Sequence, residues 1–356
     1  YIGQEAVAVG LQSAMKVGRD SVITGYRDHG HMLAYGIDPN VIMAELTGRA
    51  AGISKGKGGS MHMFSVEHGF YGGHGIVGAQ VSLGTGLAFK HQYAGDGGTC
   101  LAYFGDGAAN QGQVYESFNM AKLWDLPVIY AIENNQYAMG TSVERSAAEP
   151  DFYKRGESHR IPGIQVDGMD VLAVRGAAEE AMAWTQAGKG PIILELKTYR
   201  YRGHSMSDPA KYRSREEVQS FREGKDPIDH AAKELEALGV GEEELKAFDE
   251  RVQCVRDQYA EYTIIDDIKI NSKLTSGEAV ADIEHVEPRL SRGGRFGHPQ
   301  GEFELAASAH AIERKGEVQG LDDARHRTEL LCLIVRSSCE LLTRDTCGKS
   351  QVIFDS

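Results

Sequence analysis

The sequence predicts an α/β fold in which helices cover both faces of a doubly wound, mostly parallel sheet. Two short apolar runs, at residues 99–104 and 128–132, have the length and composition of buried parallel strands. Between them, Val114, Phe118 and Ala121 recur at helical spacing. Because the crossover between parallel strands is right-handed, both strands end at the same edge of the sheet, where open α/β folds bind ligands.

The same alternation of helix and strand extends along the chain. We expect further helices at 5–16, 40–50, 84–91, 111–124 and 176–187, and further strands at 22–24 and 192–196. A glycine-rich loop spans residues 51–80, and a loop this long in a compact domain is usually functional. Residues 151–163 are predicted to form an exposed connection, and 199–215 a loop after the last strand. Residues 228–262 are charged and helical, with a break at 239–241.

The composition excludes several classes of partner. The chain has 356 residues, of which 41% are hydrophobic and 25% charged, as in ordinary globular proteins. Its net charge of −13 argues against nucleic acid or an anionic membrane as a partner. No apolar run approaches the length needed to cross a bilayer. The five cysteines are odd in number and lack metal-binding spacing, which favours a reducing compartment.

One motif stands at the ends of the two central strands. Gly105-Asp106-Gly107 is followed, after 26 residues, by Asn134-Asn135, so Asp106 and Asn135 face one another at the sheet edge. A carboxylate oxygen, an amide oxygen and a nearby backbone carbonyl suit a Mg²⁺ ion that bridges the protein to a diphosphate. The glycines allow close backbone approach, and the next helix N-terminus, with Asn110 as its cap, favours negative charge. The alternative is a plain strand-end turn, but the Asn134-Asn135 pair after the next strand favours the diphosphate site.

This motif and the sequence around it resemble a known family. Gly-Asp-Gly followed at this spacing by Asn-Asn is the thiamine diphosphate motif. The strings at 55–63, 105–112, 133–145 and 199–209 are similar to the alpha subunits of bacterial-type pyruvate dehydrogenases. The resemblance covers residues 1–259 and implies the thiamine diphosphate-binding fold, with thiamine diphosphate and Mg²⁺ as cofactors.

The resemblance also implies roles for individual residues. The metal ligands would be Asp106, Asn135 and Tyr137. The cofactor-binding residues would be Tyr26, Arg27, Gly75, Val77, Asp106, Gly107, Ala108, Asn135, Tyr137 and His204. Among these, an arginine offers fork geometry to phosphate oxygens, whereas Gly75 and Val77 would bind the aminopyrimidine ring through their main chain. Without the resemblance, Arg27 would be interpreted as a solvated surface charge, and Gly75 and Val77 as part of a plain turn.

Two histidines are the candidate catalytic residues. His29 and His204 match histidines of the family's active-site channel, and imidazole moves protons near neutral pH. A lone histidine is more often structural or exposed, so this assignment depends on the resemblance. His31, His62, His68, His74 and His91 receive no role.

The implied reaction needs partners. With a beta subunit, in a heterotetramer of two alpha and two beta chains, the family decarboxylates pyruvate oxidatively. It then acetylates the lipoyl domain of the dihydrolipoyl acetyltransferase component, whose lipoyl disulfide is the electron acceptor. The glutamate that activates the cofactor is expected on the beta subunit, and Glu133, at the diphosphate end, is a poor substitute. The alternatives are the alpha subunit of a branched-chain 2-oxo acid or acetoin dehydrogenase and a non-catalytic remnant; the string at 203–209 favours pyruvate.

The loop after the last predicted strand indicates the cellular location of the protein. Ser205 corresponds to a serine that is phosphorylated in mitochondrial relatives, but the loop at 208–212 is one residue shorter and lacks their second serine. In these two respects the loop resembles the corresponding loop of bacterial members. We therefore expect a bacterial cytoplasmic protein, with the mitochondrial matrix as the location if the source is eukaryotic.

The resemblance divides the chain into three segments. Residues 1–225 are the predicted catalytic domain, which enters the family's pattern in mid-stream and is interpreted as N-terminally clipped. Residues 226–263 are a helical segment. Residues 264–356 follow no pattern of the family, and we favour a chimeric or shifted reading frame over a genuine appended module.

Overall fold

The structure, a computed structural model, describes residues 1–205 and 208–253. The described residues fall into two compact units, of which the first contains Tyr1–Leu245. Residues 246–253 belong to the second unit and are helical. The predicted tail at 264–356 lies outside the described residues.

The first unit is built around one parallel sheet. Its strands are β1 Ser21–Gly25, β2 Phe70–His74, β3 Cys100–Gly105, β4 Val128–Asn134, β7 Gly163–Asp167 and β8 Ile192–Lys197, with a small hairpin of β5 Tyr137–Ala138 and β6 Thr141–Ser142. The order in the sheet is β2-β1-β3-β4-β8-β7, and every neighbouring pair is parallel. The predicted doubly wound parallel sheet is therefore confirmed.

Helices lie on both faces of this sheet. They are α1 Glu5–Ser13, α2 His29–Ala34, α3 Pro39–Leu46, α4 Ala79–Ala94, α5 Gly112–Leu123, α6 Val143–Ser146, α7 Val171–Gln186, α8 Arg215–Lys225 and α9 Pro227–Ala237. Within residues 1–205 and 208–253, three short 3-10 helices lie at Val66–His68, Ala108–Asn110 and Phe152–His159. In the described part of the chain, no helix is long and apolar enough to span a membrane.

The core forms two layers because side chains alternate across the central strands. Leu101 and Tyr103 of β3 pack on the side of α1 and α7, whereas Ala102 and Phe104 pack on the side of α4 and α5. β4 repeats this alternation, so both central strands are apolar along nearly their whole length. Burial on both faces explains why continuous apolar runs identified these strands.

Two edge strands were not predicted. β2 lies within the expected loop at 51–80, and β7 begins at the end of the expected connection at 151–163. The sequence of β2 contains two adjacent glycines, and β7 carries exposed polar residues, so neither has the apolar or β-branched pattern of a buried strand. Short α2 was also missed, and α4 begins at Ala79, earlier than expected, directly after Gly78 in the left-handed region at φ 86°.

Candidate functional site

Five chain segments meet at the carboxyl edge of the sheet, because all six strands run in the same direction. The segments follow β1, β2, β3, β4 and β8, and they contain all of the predicted site residues. In the sheet, Gly105 pairs with Glu133, so the turns after β3 and β4 are adjacent.

Asp106 begins the turn after β3 and is only 3% exposed. Burial raises the pKa of this carboxyl to about 6, although hydrogen bonds from backbone N–H groups and the charge of Arg200 oppose the rise. Among the described residues, no cationic side chain forms an ion pair with Asp106. A buried carboxylate without a cation partner is suited to bind a metal ion.

Asn135 lies opposite, in the turn after β4, and is also buried. Its amide nitrogen donates to Gln4 Oε1 at 2.8 Å, which fixes the orientation of the side chain. Its Oδ1 has only a long contact, 3.5 Å, with the backbone N–H of Tyr137. The amide oxygen is therefore the atom that remains to coordinate a cation.

Tyr137 can contribute only its main chain to such a site. Its phenol O–H donates to Glu217 Oε1 at 2.9 Å, whereas its carbonyl accepts from Arg200 Nη2 at 3.3 Å. No group of three or more His, Cys, Asp or Glu residues in the described chain could hold a metal. A cation here would therefore depend on one carboxylate, one amide oxygen and backbone oxygen.

The glycine after Asp106 is required by packing. A Cβ atom on Gly107 would lie 2.5 Å from the Cβ of Ala138, so any larger residue would push the β5–β6 hairpin away. Ala108 follows in the 3-10 turn that precedes α5. The prediction that Asn110 caps this helix is wrong, because Asn110 lies inside the 3-10 turn and its side chain accepts from Arg155 at 2.9 Å.

Tyr26 and Arg27 connect the end of β1 to the loop after β8. The Tyr26 hydroxyl lies 3.3 Å from His204 Nε2, and Arg27 donates to the backbone carbonyl of His204. Arg27 has a positive φ of 59°, an uncommon conformation for a side chain other than glycine and one that often marks functional sites. The structure thus brings together three predicted residues from distant parts of the sequence.

Both candidate catalytic histidines are neutral at pH 7. Burial lowers the pKa of His29 to about 4, and its Nε2 lies 2.7 Å from Ser60 Oγ. Burial, followed by the charges of Arg27 and Arg200, also lowers the pKa of His204. Neutral imidazoles can exchange hydrogen bonds with an oxygen on which negative charge develops.

Gly75 and Val77 lie on the segment between β2 and α4, at the same edge. Val77 is 43% exposed, and its carbonyl accepts from Gln113 Nε2 at 3.2 Å. A Cβ on Gly75 would lie 3.0 Å from the His62 ring, so a side chain there would crowd that ring.

The unassigned histidines make structural contacts. Their hydrogen-bond partners are Glu133 for His31, the Gly73 carbonyl for His62, Ser65 for His68, the Tyr71 carbonyl for His74, and Ser21 and Asp96 for His91.

Sequence reasoning missed three contacts of the site, made by Gln4, Ser60 and Arg200. Arg200 follows β8, and the strand-end argument that selected Tyr26 and Arg27 could have selected it. Gln4 and Ser60 carry no such signal.

Comparison with known proteins gives consistent results. The family model described as "Dehydrogenase E1 component" matches residues 1–263. The chain is 70% identical over 253 residues to a pyruvate dehydrogenase E1 component subunit alpha from Zymomonas mobilis subsp. mobilis, covering 71% of this chain and 72% of that protein. It is 66% identical over 263 residues to the subunit of the same name from Rhizobium meliloti, covering 74% and 75%.

Among solved structures, the chain is similar to a putative thiamin diphosphate-dependent enzyme from Mycobacterium smegmatis. The TM-score is 0.40 at 15% identity, over 56% of this chain and 32% of that one. The family match covers more than half of the chain, and the aligned regions cover 72% and 75% of the two relatives at 70% and 66% identity. The chain therefore belongs to the dehydrogenase E1 component family, in which it is similar to the pyruvate dehydrogenase alpha subunits.

Proposed function

We propose that the chain is the thiamine diphosphate-binding alpha subunit of a pyruvate dehydrogenase. With a beta subunit it decarboxylates pyruvate oxidatively and acetylates the lipoyl domain of the dihydrolipoyl acetyltransferase component. The observation that carries the proposal is the position of Asp106 and Asn135 at the ends of adjacent parallel strands, in a member of this family.

The residues at the sheet edge fit a magnesium diphosphate. Asp106, the Asn135 amide oxygen and the Tyr137 carbonyl would hold Mg²⁺, for which oxygen ligands are preferred. Gly107 and Ala108 bring the backbone close to the diphosphate at the start of the turn before α5. The Tyr137 carbonyl accepts from Arg200, and its second lone pair would be available to the ion.

Other residues would hold the two ends of the cofactor. The Tyr26 hydroxyl and the Arg27 guanidinium are donors suited to diphosphate oxygens. The main chain of Gly75 and Val77 would bind the aminopyrimidine ring. When bound, thiamine diphosphate supplies a nucleophilic carbon and an electron sink for decarboxylation.

The two histidines would act on the substrate. His204 is held through its ring by Tyr26 and through its carbonyl by Arg27, so its imidazole has a defined position. His29 is held by Ser60. Because Nε2 of each ring is engaged, by Tyr26 in His204 and by Ser60 in His29, Nδ1 is the ring nitrogen left for the substrate. In a neutral imidazole this atom donates a hydrogen bond to a carboxylate or alkoxide oxygen in one tautomer and accepts a proton in the other.

The site is open on the side where a partner would cover it. Ile76 and Met139, which flank the cofactor-binding residues, are 73% and 62% exposed. Glu133 does not replace the activating glutamate expected from the beta subunit, because it already bonds to His31 and Tyr1. These features support a partner chain, as in a heterotetramer of two alpha and two beta chains. The bacterial sources of the relatives support a location in the cytoplasm of a bacterium.

The alternatives are less well supported. Relatives that are 70% and 66% identical are both pyruvate dehydrogenase subunits, which favours pyruvate over branched 2-oxo acids or acetoin. A complete set of metal, diphosphate and histidine positions disfavours a non-catalytic remnant.

The test is substrate competition in the reconstituted alpha–beta complex. Steady-state kinetics should give a higher kcat/KM for pyruvate than for branched 2-oxo acids or acetoin, with acetylation of an added lipoyl domain. A preference for a branched 2-oxo acid would assign the chain to the other branch of the family, and no turnover of any of these substrates would support the remnant.

A further inference from the structure

The glycine-rich loop after α3 encloses a buried carboxylate. Glu45, on α3, is 0% exposed. Its Oε2 accepts from the backbone N–H groups of Ser54 and Gly56 at 2.7 and 2.8 Å. Its Oε1 accepts from those of Gly58 and Gly59 at 2.6 and 3.0 Å. The loop at 54–59 is therefore wrapped around one side chain.

The charge of Glu45 stabilises this arrangement. Burial alone raises the pKa of the carboxyl, but the hydrogen bonds from Gly56, Gly59, Gly58 and Ser54 outweigh burial and lower it below its usual value. The side chain is therefore ionised at neutral pH. Hydrogen bonds to an ionised acceptor are stronger than bonds between neutral groups.

The path of the loop requires glycine at two positions. A Cβ on Gly58 would lie 1.9 Å from the His62 carbonyl oxygen, and Gly56 has a positive φ of 72°. The Ser54 hydroxyl adds a second connection, since it donates to the His62 carbonyl and accepts from the N–H of Phe64. The start of the wrapped segment is thereby joined to residues 62 and 64.

The residue that directly follows the wrapped segment contacts a candidate catalytic histidine. Ser60 Oγ lies 2.7 Å from His29 Nε2, and the Ser60 carbonyl lies 3.2 Å from the same nitrogen. The position of Ser60 depends on the path of residues 54–59. A chain of direct contacts therefore links Glu45 to the His29 ring.

We propose that Glu45 is a positioning residue for the reaction: its carboxylate shapes the loop at 54–59 so that Ser60 holds the His29 imidazole. This inference rests on the proposed function, in which His29 contacts the substrate. Glu45 itself does not touch the reacting groups. Its effect on turnover is transmitted through Ser60.

The test is a double-mutant cycle in the reconstituted alpha–beta complex, with pyruvate as substrate. Glu45→Gln keeps the size of the side chain but replaces one acceptor oxygen with an amide NH₂, which cannot accept from the loop. Ser60→Ala removes the hydroxyl that contacts His29. We expect each substitution to lower kcat about tenfold while leaving thiamine diphosphate affinity within about twofold.

The decisive readout is the double variant. If both residues act through His29, the double variant should lose no more activity than the worse single variant, because contacts in one chain are not additive. Hydrogen exchange of the peptide at 54–60 should be faster in Glu45→Gln and unchanged in Ser60→Ala. Glu67→Gln is the control, since the Glu67 side chain is 78% exposed in the 3-10 helix Val66–His68, and it should change neither quantity.

Three results would overturn the inference. The first is a double variant in which the two losses of kcat multiply. The second is a Glu45→Gln variant whose loop exchanges hydrogen faster while kcat is unchanged. Either result would show that Glu45 has a structural role only, and would leave the proposed function intact. A parent complex that does not turn over pyruvate would overturn the proposed function and this inference with it. If Glu45→Gln does not assemble with the beta subunit, Glu45→Asp, which keeps the charge on a shorter side chain, replaces it in the cycle.

Discussion

At the residue scale, Asp106 combines burial with the lack of an ion-pair partner among the described residues, and the proposed cofactor site depends on this combination. The protein maintains a carboxylate whose pKa is raised to about 6 by burial. Such a group is costly in the empty site, and a divalent cation offsets that cost when it binds. Asn135 and the Tyr137 carbonyl add ligands but no charge.

Replacing Asp106 should therefore weaken binding of the magnesium–cofactor pair. We expect Asp106→Asn, which keeps the shape and removes the charge, to lower thiamine diphosphate affinity at least tenfold, or about 1.4 kcal/mol. Isothermal titration calorimetry of the alpha–beta complex in Mg²⁺ measures this. Asp229→Asn, in the exposed first turn of α9, is the matched control. Equal affinity in Asp106→Asn and the parent would refute the assigned site.

The raised pKa of Asp106 also predicts a dependence on pH. In the empty site the carboxyl is half protonated near pH 6, and a metal ion must displace that proton. Affinity should be independent of pH above about 7 and should fall about tenfold per unit well below pH 6. Titrations between pH 5 and 8 test the slope, which should be smaller in Asp106→Asn, where the phosphate of the ligand still titrates but the carboxyl does not. An unchanged slope in the variant would place the titrating protein group elsewhere.

At the scale of elements, a buried glutamate joins three strands and a helix near the site. Glu195, on β8, is 0% exposed and accepts from Asn134 of β4 at 2.6 Å. It also accepts from the backbone of Tyr153 in the 3-10 helix and from Gln165 of β7, at 3.1 and 3.2 Å. Lys197, at 3.0 Å, supplies the opposite charge.

Removing this group should destabilise the sheet. Glu195→Ala leaves the buried amide of Asn134 and the partly buried N–H of Tyr153 without an acceptor, so we expect a loss of about 3 kcal/mol in the free energy of unfolding. Urea denaturation followed by circular dichroism measures it. Glu179→Ala, which breaks an exposed pair with Arg175 on α7, should cost less than about 0.5 kcal/mol. Similar losses in the two variants would show that Glu195 does not join these elements.

The elements differ in how well the sequence predicts them. β3 and β4 are buried on both faces and carry uninterrupted apolar runs, so their positions follow from composition and length. Each of the edge strands lacks a neighbouring strand on one side; β2 contains two adjacent glycines, and β7 carries exposed polar residues. Their pairing is determined by the rest of the sheet, so the residues of β2 and β7 themselves carry no pattern that predicts a strand.

The same contrast holds within the site. Asp106 and Asn135 could be predicted because each directly follows a recognisable strand and the crossover rule brings their strand ends together. Gln4, which orients Asn135, is separated from it by 131 positions in the sequence. Ser60 is 31 positions from His29. Such contacts arise only from the folded chain, so residue type and spacing give no sign of them.

At the scale of the whole molecule, one group of exposed apolar side chains in the described part of the chain lies on two packed helices. Leu83, Phe89 and Tyr93 of α4, together with Leu123 and Trp124 at the end of α5, are between 44% and 86% exposed. Phe89 contacts both Tyr93 and Trp124 through its ring. Contiguous exposed aromatic surface is typical of a face that contacts another subunit, in agreement with the proposed heterotetramer.

The segment beyond the family match should not be needed for that assembly. The match ends at residue 263, and every element that forms the site lies before that point. We expect deletion of 264–356 to leave both the heterotetramer and thiamine diphosphate affinity unchanged. Light scattering of the purified complex, with calorimetry on the same sample, measures both. A truncated chain that does not assemble while the full chain does would make the tail a structural part of the enzyme.

The central claim is that this chain supplies the metal–diphosphate half of a pyruvate dehydrogenase. The most direct measurement is release of CO₂ from pyruvate, with an added lipoyl domain as the acceptor. It is made with the alpha chain alone, the beta chain alone and the two together, each with and without thiamine diphosphate and Mg²⁺. We predict turnover only in the mixture that contains both chains and both cofactors, and its loss when the alpha chain carries Asp106→Asn. Turnover by the alpha chain alone, or undiminished turnover with Asp106→Asn, would contradict the claim.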